Sequence, residues 1–242
     1  FFTNISHELR SPLTLILGPA EKLIKQGDKL QKKERIRLYK IMQRNSDYLL
    51  ALIKQLLDFR KLEQGEIKLK CTHINLVNLV QKVTEQFQTK AELEKLNLGY
   101  NFNEKKIFAW TDSNIIEKII HNLLSNAIKF TPKGGSITIG VRELNLQKSN
   151  YPEGHIEIYV EDSGIGIKSS DINTIFNRFY QSDNQNKKNE GFGIGLSFSQ
   201  NLAKLHGGEI KVMSQYQKGS CFTLLLPLGN THLSNEQMIE NN

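Results

Sequence analysis

The sequence predicts an α+β protein in which a long helical hairpin precedes a domain of alternating helices and strands. Two long stretches of apolar residues at helical spacing open the chain, from about Thr3 to Gln26 and from about Gln31 to Leu62. Beyond residue 65, shorter helical patterns are interleaved with segments in which apolar and polar residues alternate, as they do in strands. These two observations together predict two domains of different architecture.

The two helices of the hairpin are amphipathic. In the second helix, the apolar residues recur at alternating intervals of four and three, which is the spacing of a heptad seam. The seam comprises Leu38, Met42, Asn45, Leu49, Leu52, Leu56 and Phe59. Because two helices alone bury too little apolar surface, we predict that the hairpin dimerises into a four-helix bundle. Asn45 either fixes the register of this seam or faces water at a kinked contact.

The second domain is predicted to run from residue 66 to residue 229, after a helical domain over residues 1–65. Its predicted helices are Leu76–Leu93, Ser113–Phe130 and Gly191–Leu205. Its predicted strands are Ile67–Lys70, a hairpin of Leu98–Phe102 and Lys106–Trp110, two strands around Ile137–Val141 and Ile156–Val160, and a final pair, Glu209–Val212 and Cys221–Leu226. Residues 182–190 carry no apolar side chain, which predicts a mobile loop. Residues 230–242 are predicted to form a polar tail or linker.

The composition is typical of a globular protein, with 38% hydrophobic and 24% charged residues. No apolar run approaches the ~18 residues that span a bilayer, so we expect no membrane contact by this stretch. Cys71 and Cys221 are too few for a disulfide framework and lack metal-ligand spacing, which favours the cytosol.

Residues 1–63 hold 13 of the 32 Lys and Arg but only 7 of the 25 Asp and Glu. Without interleaved aromatic residues, this charge predicts a solvated face and no nucleic-acid partner.

His7 is the candidate reactive residue of the hairpin. At about 100° per residue, the apolar stripe of the first helix lies on one side, while His7 and Ser11 share the opposite face with Glu8 on its flank. A neutral imidazole is a nitrogen nucleophile near pH 7, and a neighbouring carboxylate can orient the ring or accept its proton. These properties suit a phosphoryl acceptor, although an ordinary exposed histidine explains the same pattern. Pro12 is expected to kink the helix nearby.

Three polar residues share one face of the predicted helix Ser113–Phe130. Asn122, Asn126 and Lys129 lie within about 60° of one another, beside an apolar arc. Amide oxygens are suitable ligands for Mg²⁺, which keeps several waters and takes its other ligands from protein and phosphates. Lysine binds phosphate as a point charge. The face therefore predicts a phosphate and Mg²⁺ site, with a solvated helix face as the equal alternative.

Two glycine-rich segments follow. Asp162 ends a predicted strand, where its carboxylate can accept a hydrogen bond from an exocyclic amine such as N6 of adenine. Gly164 and Gly166 come next and allow the backbone to approach a flat ring. The later segment Gly191–Leu196 opens a helix whose free N–H groups favour phosphate. Because a polar loop and not a strand precedes that segment, a Rossmann fingerprint is not indicated.

Five segments, in this order, resemble the motifs of sensor histidine kinases. Ser6–Leu13 resembles the phosphoacceptor box, Asn122–Pro132 the N box, Asp162–Gly166 the first glycine box, Ile175–Gln181 the F box and Gly191–Leu196 the second glycine box. The resemblance covers essentially the whole chain and is closest to the kinase core of bacterial hybrid two-component sensors. It implies a dimerising helix pair followed by a Bergerat-type ATP-binding α/β sandwich, in which helices cover one face of a mixed sheet.

The resemblance also implies roles for individual residues. Asn126 would be a ligand of Mg²⁺, Asn122 and Lys129 would meet the phosphates of ATP, and Asp162 would bind adenine. A lid would extend from about Phe176 to Glu190. Its implied contacts are Arg178 with the γ-phosphate and Phe179 as an anchor, with Gly191, Gly193 and Gly195 following the lid and Thr223 as a weaker candidate beside adenine.

The implied function is ATP-dependent autophosphorylation of His7, followed by phosphotransfer to an aspartate of a receiver domain. The implied assembly is a homodimer that forms the cytoplasmic portion of an inner-membrane sensor. Where the family usually carries Thr or Asn, this sequence carries Ser11, so we expect weakened phosphatase activity. The alternatives are a nucleotide-binding dimerisation module without kinase activity and another Bergerat-type ATPase.

Overall fold

The computed structural model describes residues 2–144, 154–180 and 193–239, and only the backbone of residues 2–5, 7 and 8. The described chain divides into two compact units, with the break between Glu66 and Ile67. The predicted mobile loop, residues 182–190, lies outside the described residues.

The first unit is a helical hairpin. Helix α1 spans Phe2–Gln26, a single 3₁₀ turn spans Gly27–Lys29, and α2 spans Lys32–Glu63. The two helices pack along each other, and the seam residues of α2 are buried or half-buried. Asn45 is half-buried, and its Nδ2 donates to the carbonyl of Ile41 in its own helix, 2.7 Å away.

The hairpin leaves a second set of apolar side chains exposed. On α1 these residues recur at intervals of four and seven, and on α2 at intervals of three and four. They are Leu13, Leu17 and Ile24 on α1, and Leu50, Ile53 and Leu57 on α2, while Leu15 on α1 and Ile36 and Tyr39 near the start of α2 are exposed as well. Ile24 is 85% exposed and Leu50 is 68% exposed. Each helix therefore has one apolar stripe that the hairpin itself does not cover.

In its described residues, the second unit contains two sheets and three α-helices. In its main sheet the strands lie in the order β2 (Asn97–Phe102), β4 (Ser136–Leu144), β5 (His155–Asp162), β7 (Gly219–Pro227), β6 (Glu209–Gln215). Strands β2 and β4 are parallel and the other neighbours are antiparallel, so the sheet is mixed. Strands β1 (Thr72–Asn75) and β3 (Phe108–Thr111) form a separate antiparallel pair. The helices are α3 (Leu76–Leu93), α4 (Ser113–Phe130) and α5 (Gly195–Leu205).

The core lies between the helices and one face of the main sheet. Alternate residues of the two central strands, among them Ile139 on β4 and Ile158 on β5, are fully buried, as are Ile116 and Leu123 on α4. Helix α3 packs on β2 and β4, α4 packs on β5, and α5 packs on β6 and β7. The opposite face is charged, and there Arg142 pairs with Glu157 at 2.6 Å. The predicted α+β class, with helices over one face of a mixed sheet, is confirmed.

Two strand predictions were wrong. The predicted hairpin of Leu98–Phe102 with Lys106–Trp110 does not form, because β2 pairs with β4 and β3 pairs with β1. At the end of β1, Oδ1 of Asn75 accepts from the backbone N–H of Ile107 at 3.2 Å, which ties the stretch before β3 to β1. The first strand is Thr72–Asn75 and not Ile67–Lys70.

Residues 230–239, here called the exit segment, differ from the predicted free tail. The N–H of Cys71 donates to the carbonyl of Gln237 at 2.7 Å, and the N–H of Ile239 donates to the carbonyl of Cys71 at 2.8 Å. A 3₁₀ turn at Asn235–Gln237 is closed by a capping box between Ser234 and Gln237. The exit segment is thus paired in parallel with the strand-like stretch through which the chain enters the second unit.

Across the described ranges, none of the helices has the length and apolar character needed to cross a membrane.

Candidate functional site

Helix α4 carries the polar face at the centre of the candidate site. Asp112 caps its start, because Oδ1 accepts from the N–H of Asn114 at 3.1 Å and of Ile115 at 3.3 Å. The other carboxylate oxygen accepts from the N–H of Lys70 at 3.0 Å. At the far end, the hydroxyl of Thr131 donates to the carbonyl of Ala127, and Pro132 prevents continuation of the helix. Both ends are fixed, so the polar face has a defined position.

Asn122, Asn126 and Lys129 lie on this face and are all partly exposed. They follow one another at intervals of four and three residues, next to the buried Leu123 and Ala127. The structure therefore brings the three predicted residues together on one side of α4. Lys129 places its Nζ 4.8 Å from the centre of the Phe130 ring.

The amide of Asn122 rests against α5. Its Nδ2 donates to Oγ of Ser199 at 2.9 Å. Its Oδ1 lies beside Gly195, where a Cβ atom would collide with it. Gly195 is the first residue of α5, so the helix that follows the predicted lid begins directly beside the α4 polar face.

Asp162 is the last residue of β5 and is 8% exposed. Its Oδ1 accepts from the N–H of Gly164 at 2.8 Å. Burial raises the pKa of this carboxyl, and the N–H groups of Gly164 and Ser220 oppose that shift. A desolvated carboxylate with unused lone pairs can accept a hydrogen bond from a bound amine.

The turn after Asp162 is tied to the end of α4. The N–H of Ile165 donates to the carbonyl of Phe130 at 3.2 Å. A Cβ atom on Gly164 would stand 2.6 Å from that carbonyl oxygen. Gly166 has φ +63°, and a Cβ there would collide with the backbone of Gln215. Both glycines are therefore required by close backbone approach, which places the Asp162 turn next to the α4 polar face.

Phe179, near the start of the predicted lid, is hydrogen-bonded to Gly193, which follows the lid in sequence. The N–H of Phe179 donates to the carbonyl of Gly193 at 2.8 Å. Phe179 has φ 63°, which is uncommon for a residue other than glycine. Gly193 also has φ +63°, and a Cβ on it would stand 2.7 Å from Cα of Phe179. Arg178 precedes this junction and is exposed, whereas Gly191 lies outside the described residues.

Thr223 does not lie beside Asp162. It pairs with Tyr159 and Lys211 on the charged face of the sheet, and Ser220 is the β7 residue opposite Asp162. The sequence analysis missed Ser220 and Ser199. The spacing of Gly195 and Ser199, one helical turn apart, is the signal that could have identified Ser199. Ser220 required the strand register, which periodicity alone does not provide.

His7, Glu8 and Ser11 all lie on α1. His7 and Ser11 are four positions apart, which is about one helical turn. Ser11 is exposed, and the side chains of His7 and Glu8 lie outside the described part of the structure.

The chemistry of the second unit fits a nucleotide with a polyphosphate chain. Amide oxygens and a lysine on α4 are suited to Mg²⁺ and phosphate, and the N-terminus of α5 adds free N–H groups. The close approaches at Gly164 and Gly195 leave no room for a side chain beside Asp162 and Asn122. The residues present therefore fit Mg²⁺ and ATP.

Comparison with known families matches the two units separately. A family model described as "His Kinase A (phospho-acceptor) domain" matches residues 1–65. A second, described as "Histidine kinase-, DNA gyrase B-, and HSP90-like ATPase", matches residues 111–230.

Individual relatives match nearly the whole chain. Histidine kinase P4 of Formosa agariphila is 35% identical over 99% of this chain, and hybrid signal transduction histidine kinase D of Dictyostelium discoideum is 36% identical over 94%. The chain spans only 17% and 14% of the lengths of these two relatives. Among solved structures, histidine kinase ThkA in complex with response regulator protein TrrA has the same fold, with a TM-score of 0.71 and 22% identity over 94% of this chain and 61% of that one.

Proposed function

Because this chain belongs to the sensor histidine kinases, we propose that it transfers the γ-phosphoryl group of ATP to His7 and then to an aspartate of a receiver domain. The observation that supports this most directly is the junction at Phe130, which joins the α4 polar face to the Asp162 turn. A phosphate-binding face and an amine-binding carboxylate thus lie side by side. The phosphoacceptor helix is present in the same chain.

In the proposed first step, the neutral imidazole of His7 attacks the γ-phosphorus. A P–N bond forms, the bond from phosphorus to the β,γ-bridging oxygen breaks, and ADP leaves. Glu8 orients the ring and takes the imidazole proton. Such a transfer depends mainly on positioning and on neutralising the phosphate charge. In the second step, a receiver carboxylate attacks the phosphorus, an acyl phosphate forms as the P–N bond breaks, and His7 regains its proton from Glu8 and returns to its starting form.

The residues of the second unit divide the binding between them. Asn126 holds Mg²⁺, which neutralises phosphate charge when bound. Asn122 and Lys129 bind the phosphates, and Asp162 accepts a hydrogen bond from the adenine amine. Arg178 contacts the γ-phosphate, and the Phe179–Gly193 junction anchors the base of the lid. Thr223 is not included, because its place in the sheet is away from Asp162.

We propose a homodimer and a receiver-domain partner. The exposed apolar stripes of α1 and α2 support the dimer, because two such hairpins can bury them in a four-helix bundle. A structural relative in complex with a response regulator supports the receiver. Since ATP is abundant in the cytoplasm, we place these residues on the cytoplasmic side of a membrane-anchored sensor. Protease accessibility of this stretch from outside intact cells would contradict that location.

The proposed activity is tested by incubating the chain with γ-labelled ATP and Mg²⁺. Label should appear on the protein, should be labile to acid and stable to base, and should be lost in His7→Gln. The matched control is His73→Gln, which replaces an exposed histidine of the second unit and should keep full labelling. Full labelling of His7→Gln would refute the phosphoacceptor assignment. Steady ATP hydrolysis without any phosphoprotein would instead indicate another Bergerat-type ATPase.

Ser11 is proposed to position water for dephosphorylation of the receiver, with weakened activity because serine has more rotamers than threonine. Ser11→Ala should slow release of phosphate from a phosphorylated receiver, while Ser11→Thr should speed it. Equal rates in all three proteins would remove Ser11 from the reaction.

A further inference from the structure

We infer that Ser199 is a positioning residue, which holds the amide of Asn122 in the orientation that meets the phosphates. This inference rests on the proposed nucleotide site. Ser199 is not part of any of the five sequence motifs, because it lies beyond the second glycine-rich segment, one turn into α5.

The contact between the two residues is direct. Nδ2 of Asn122 donates to Oγ of Ser199 at 2.9 Å, linking α4 to α5 across 77 positions of sequence. Ser199 is 1% exposed, whereas Asn122 is partly exposed. The buried hydroxyl of Ser199 therefore holds the amide nitrogen of Asn122, while another part of the Asn122 side chain reaches solvent.

The surroundings of the amide favour one orientation. The oxygen lies at Gly195, the first residue of α5, where the positive end of the helix dipole and free N–H groups favour an acceptor. The nitrogen lies on a hydroxyl that accepts its hydrogen. Rotating the amide by 180° would turn its N–H groups toward the helix N-terminus, which disfavours the rotated form. The start of α5 therefore selects which end of the Asn122 amide faces it, and the hydrogen bond to Ser199 holds the amide in that place.

This arrangement couples Asn122 to the helix that follows the predicted lid. Gly195 begins α5 two residues after Gly193, which is hydrogen-bonded to Phe179. A shift of the α5 start therefore moves both neighbours of the Asn122 amide together. Without the Ser199 hydroxyl, the amide nitrogen of Asn122 would lose this hydrogen-bond partner. The Asn122 side chain would then be positioned only through its amide oxygen, beside Gly195.

The test compares Ser199→Ala with Ser197→Ala in the full chain. Ser197 lies on the same helix, is 4% exposed, and its hydroxyl donates to the carbonyl of Ile194 at 2.8 Å without touching Asn122. Both variants lose one buried hydroxyl, so we expect similar small losses of thermal stability. Calorimetric titration with a non-hydrolysable ATP analogue and Mg²⁺ should show an affinity loss of about three- to tenfold for Ser199→Ala. The control should lose less than about twofold.

A double-mutant cycle shows whether Ser199 acts through Asn122. In an Asn122→Ala background, Ser199→Ala should cause no further loss of affinity. Gly195→Ala tests the same amide from its oxygen end and should lose affinity in the original background but much less when Asn122 is Ala. Equal losses from Ser199→Ala in both backgrounds, or equal affinities of the two serine variants, would overturn the inference. If the unchanged chain binds no nucleotide, the proposed function itself fails and this inference with it.

Discussion

The backbone N–H of Asp112 donates to Nε2 of His206 at 3.2 Å, joining the cap of α4 to the residue that ends α5. The other ring nitrogen, Nδ1, donates to the carbonyl of Leu202 at 3.2 Å. His206 is 1% exposed. Burial is the main reason that its pKa is lowered, with His232 adding to the shift and the Leu202 carbonyl and Asp112 opposing it. The neutral imidazole of His206 therefore links the start of α4 to the end of α5 and fixes their relative position.

His206 predicts that the second unit loses stability on mild acidification. Since the folded-state pKa lies below the ordinary value of 6.5, the unfolded chain binds the proton more readily. The contribution of neutral His206 to the free energy of unfolding is fully present above about pH 6.5. It is lost as pH falls through the pKa of His206 in the folded protein. Thermal unfolding between pH 8 and 5 should show this decline, and the decline should be smaller in His206→Gln. Identical pH dependence in both proteins would contradict the assignment.

Replacing Asp162 by Asn is expected to stabilise the nucleotide-free protein and to weaken nucleotide binding. Because burial raises its pKa, the carboxylate is disfavoured in the folded state at neutral pH. Asp162→Asn should raise the unfolding midpoint of the nucleotide-free protein, because the amide carries no charge to desolvate. Nucleotide affinity should fall by about tenfold or more, because a hydrogen bond to a charged group is lost.

The exposed neighbour Glu161 provides the control for Asp162. Glu161→Gln removes one carboxylate from the same strand and should leave nucleotide affinity unchanged. A drop in affinity for both variants would indicate a general effect of charge.

Gly193 predicts that the base of the lid tolerates no side chain. Gly193→Ala adds a Cβ 2.7 Å from Cα of Phe179 at φ +63°, so it combines collision with backbone strain. Gly134→Ala has the strain alone, since φ is +86° and no atom lies within 4 Å of its Cβ position. The strained backbone conformation lowers the free energy of unfolding by about 1–2 kcal/mol in either variant. Unfolding free energy and labelling with ATP should both fall further in Gly193→Ala, and equal losses would show that the Phe179 junction is unimportant.

The apolar stripes of the hairpin predict that Leu50 lies in a dimer interface. Leu50→Glu places a charge on a side chain that is 68% exposed in the single chain, and the charge would be buried in a four-helix bundle. Sedimentation should show a shift from dimer to monomer. The matched change Ala51→Glu, at an exposed position about 100° around the helix from Leu50, should leave the dimer intact. A Leu50→Glu chain that stays dimeric would place the interface elsewhere.

The exit segment predicts that residues 230–239 stabilise the second unit. Burial raises the pKa of the Cys71 thiol to about 11, and Cys71 has no exposed surface. A chain ending at Gly229 should unfold at a temperature several degrees lower, because two backbone hydrogen bonds are lost. Its Cys71 should also react faster with a thiol reagent at pH 8. A chain ending at Ile239 is the control and should behave as the full sequence does.

Much of the fold could be predicted from periodicity. Helices α3 and α4 begin and end where their apolar patterns do, and the alternation around Ile139 and Ile158 correctly predicted which faces are buried. Strand pairing could not be predicted, because β2 finds its partner across a long stretch of chain that includes α4. Local patterns carry no information about such distant pairing.

The same limit applies to the candidate site. Asn122, Asn126 and Lys129 could be grouped because one helix carries them, and the structure keeps them on one face. The neighbours of Asp162 could not be grouped in this way, because they come from another strand. A shift of three residues along β7 separates Thr223 from Ser220, and only the register decides between them.

The pairing of Cys71 with the exit segment also determines how the second unit would respond to tension. The two paired stretches run parallel, so a pull on the chain before residue 67 and after residue 239 would load their hydrogen bonds in shear. The hydrogen bonds between Cys71 and the exit segment would bear the applied force before the hydrogen bonds of the main sheet did. The α4 polar face and the Asp162 turn would then be mechanically shielded while the connections on either side were being stretched.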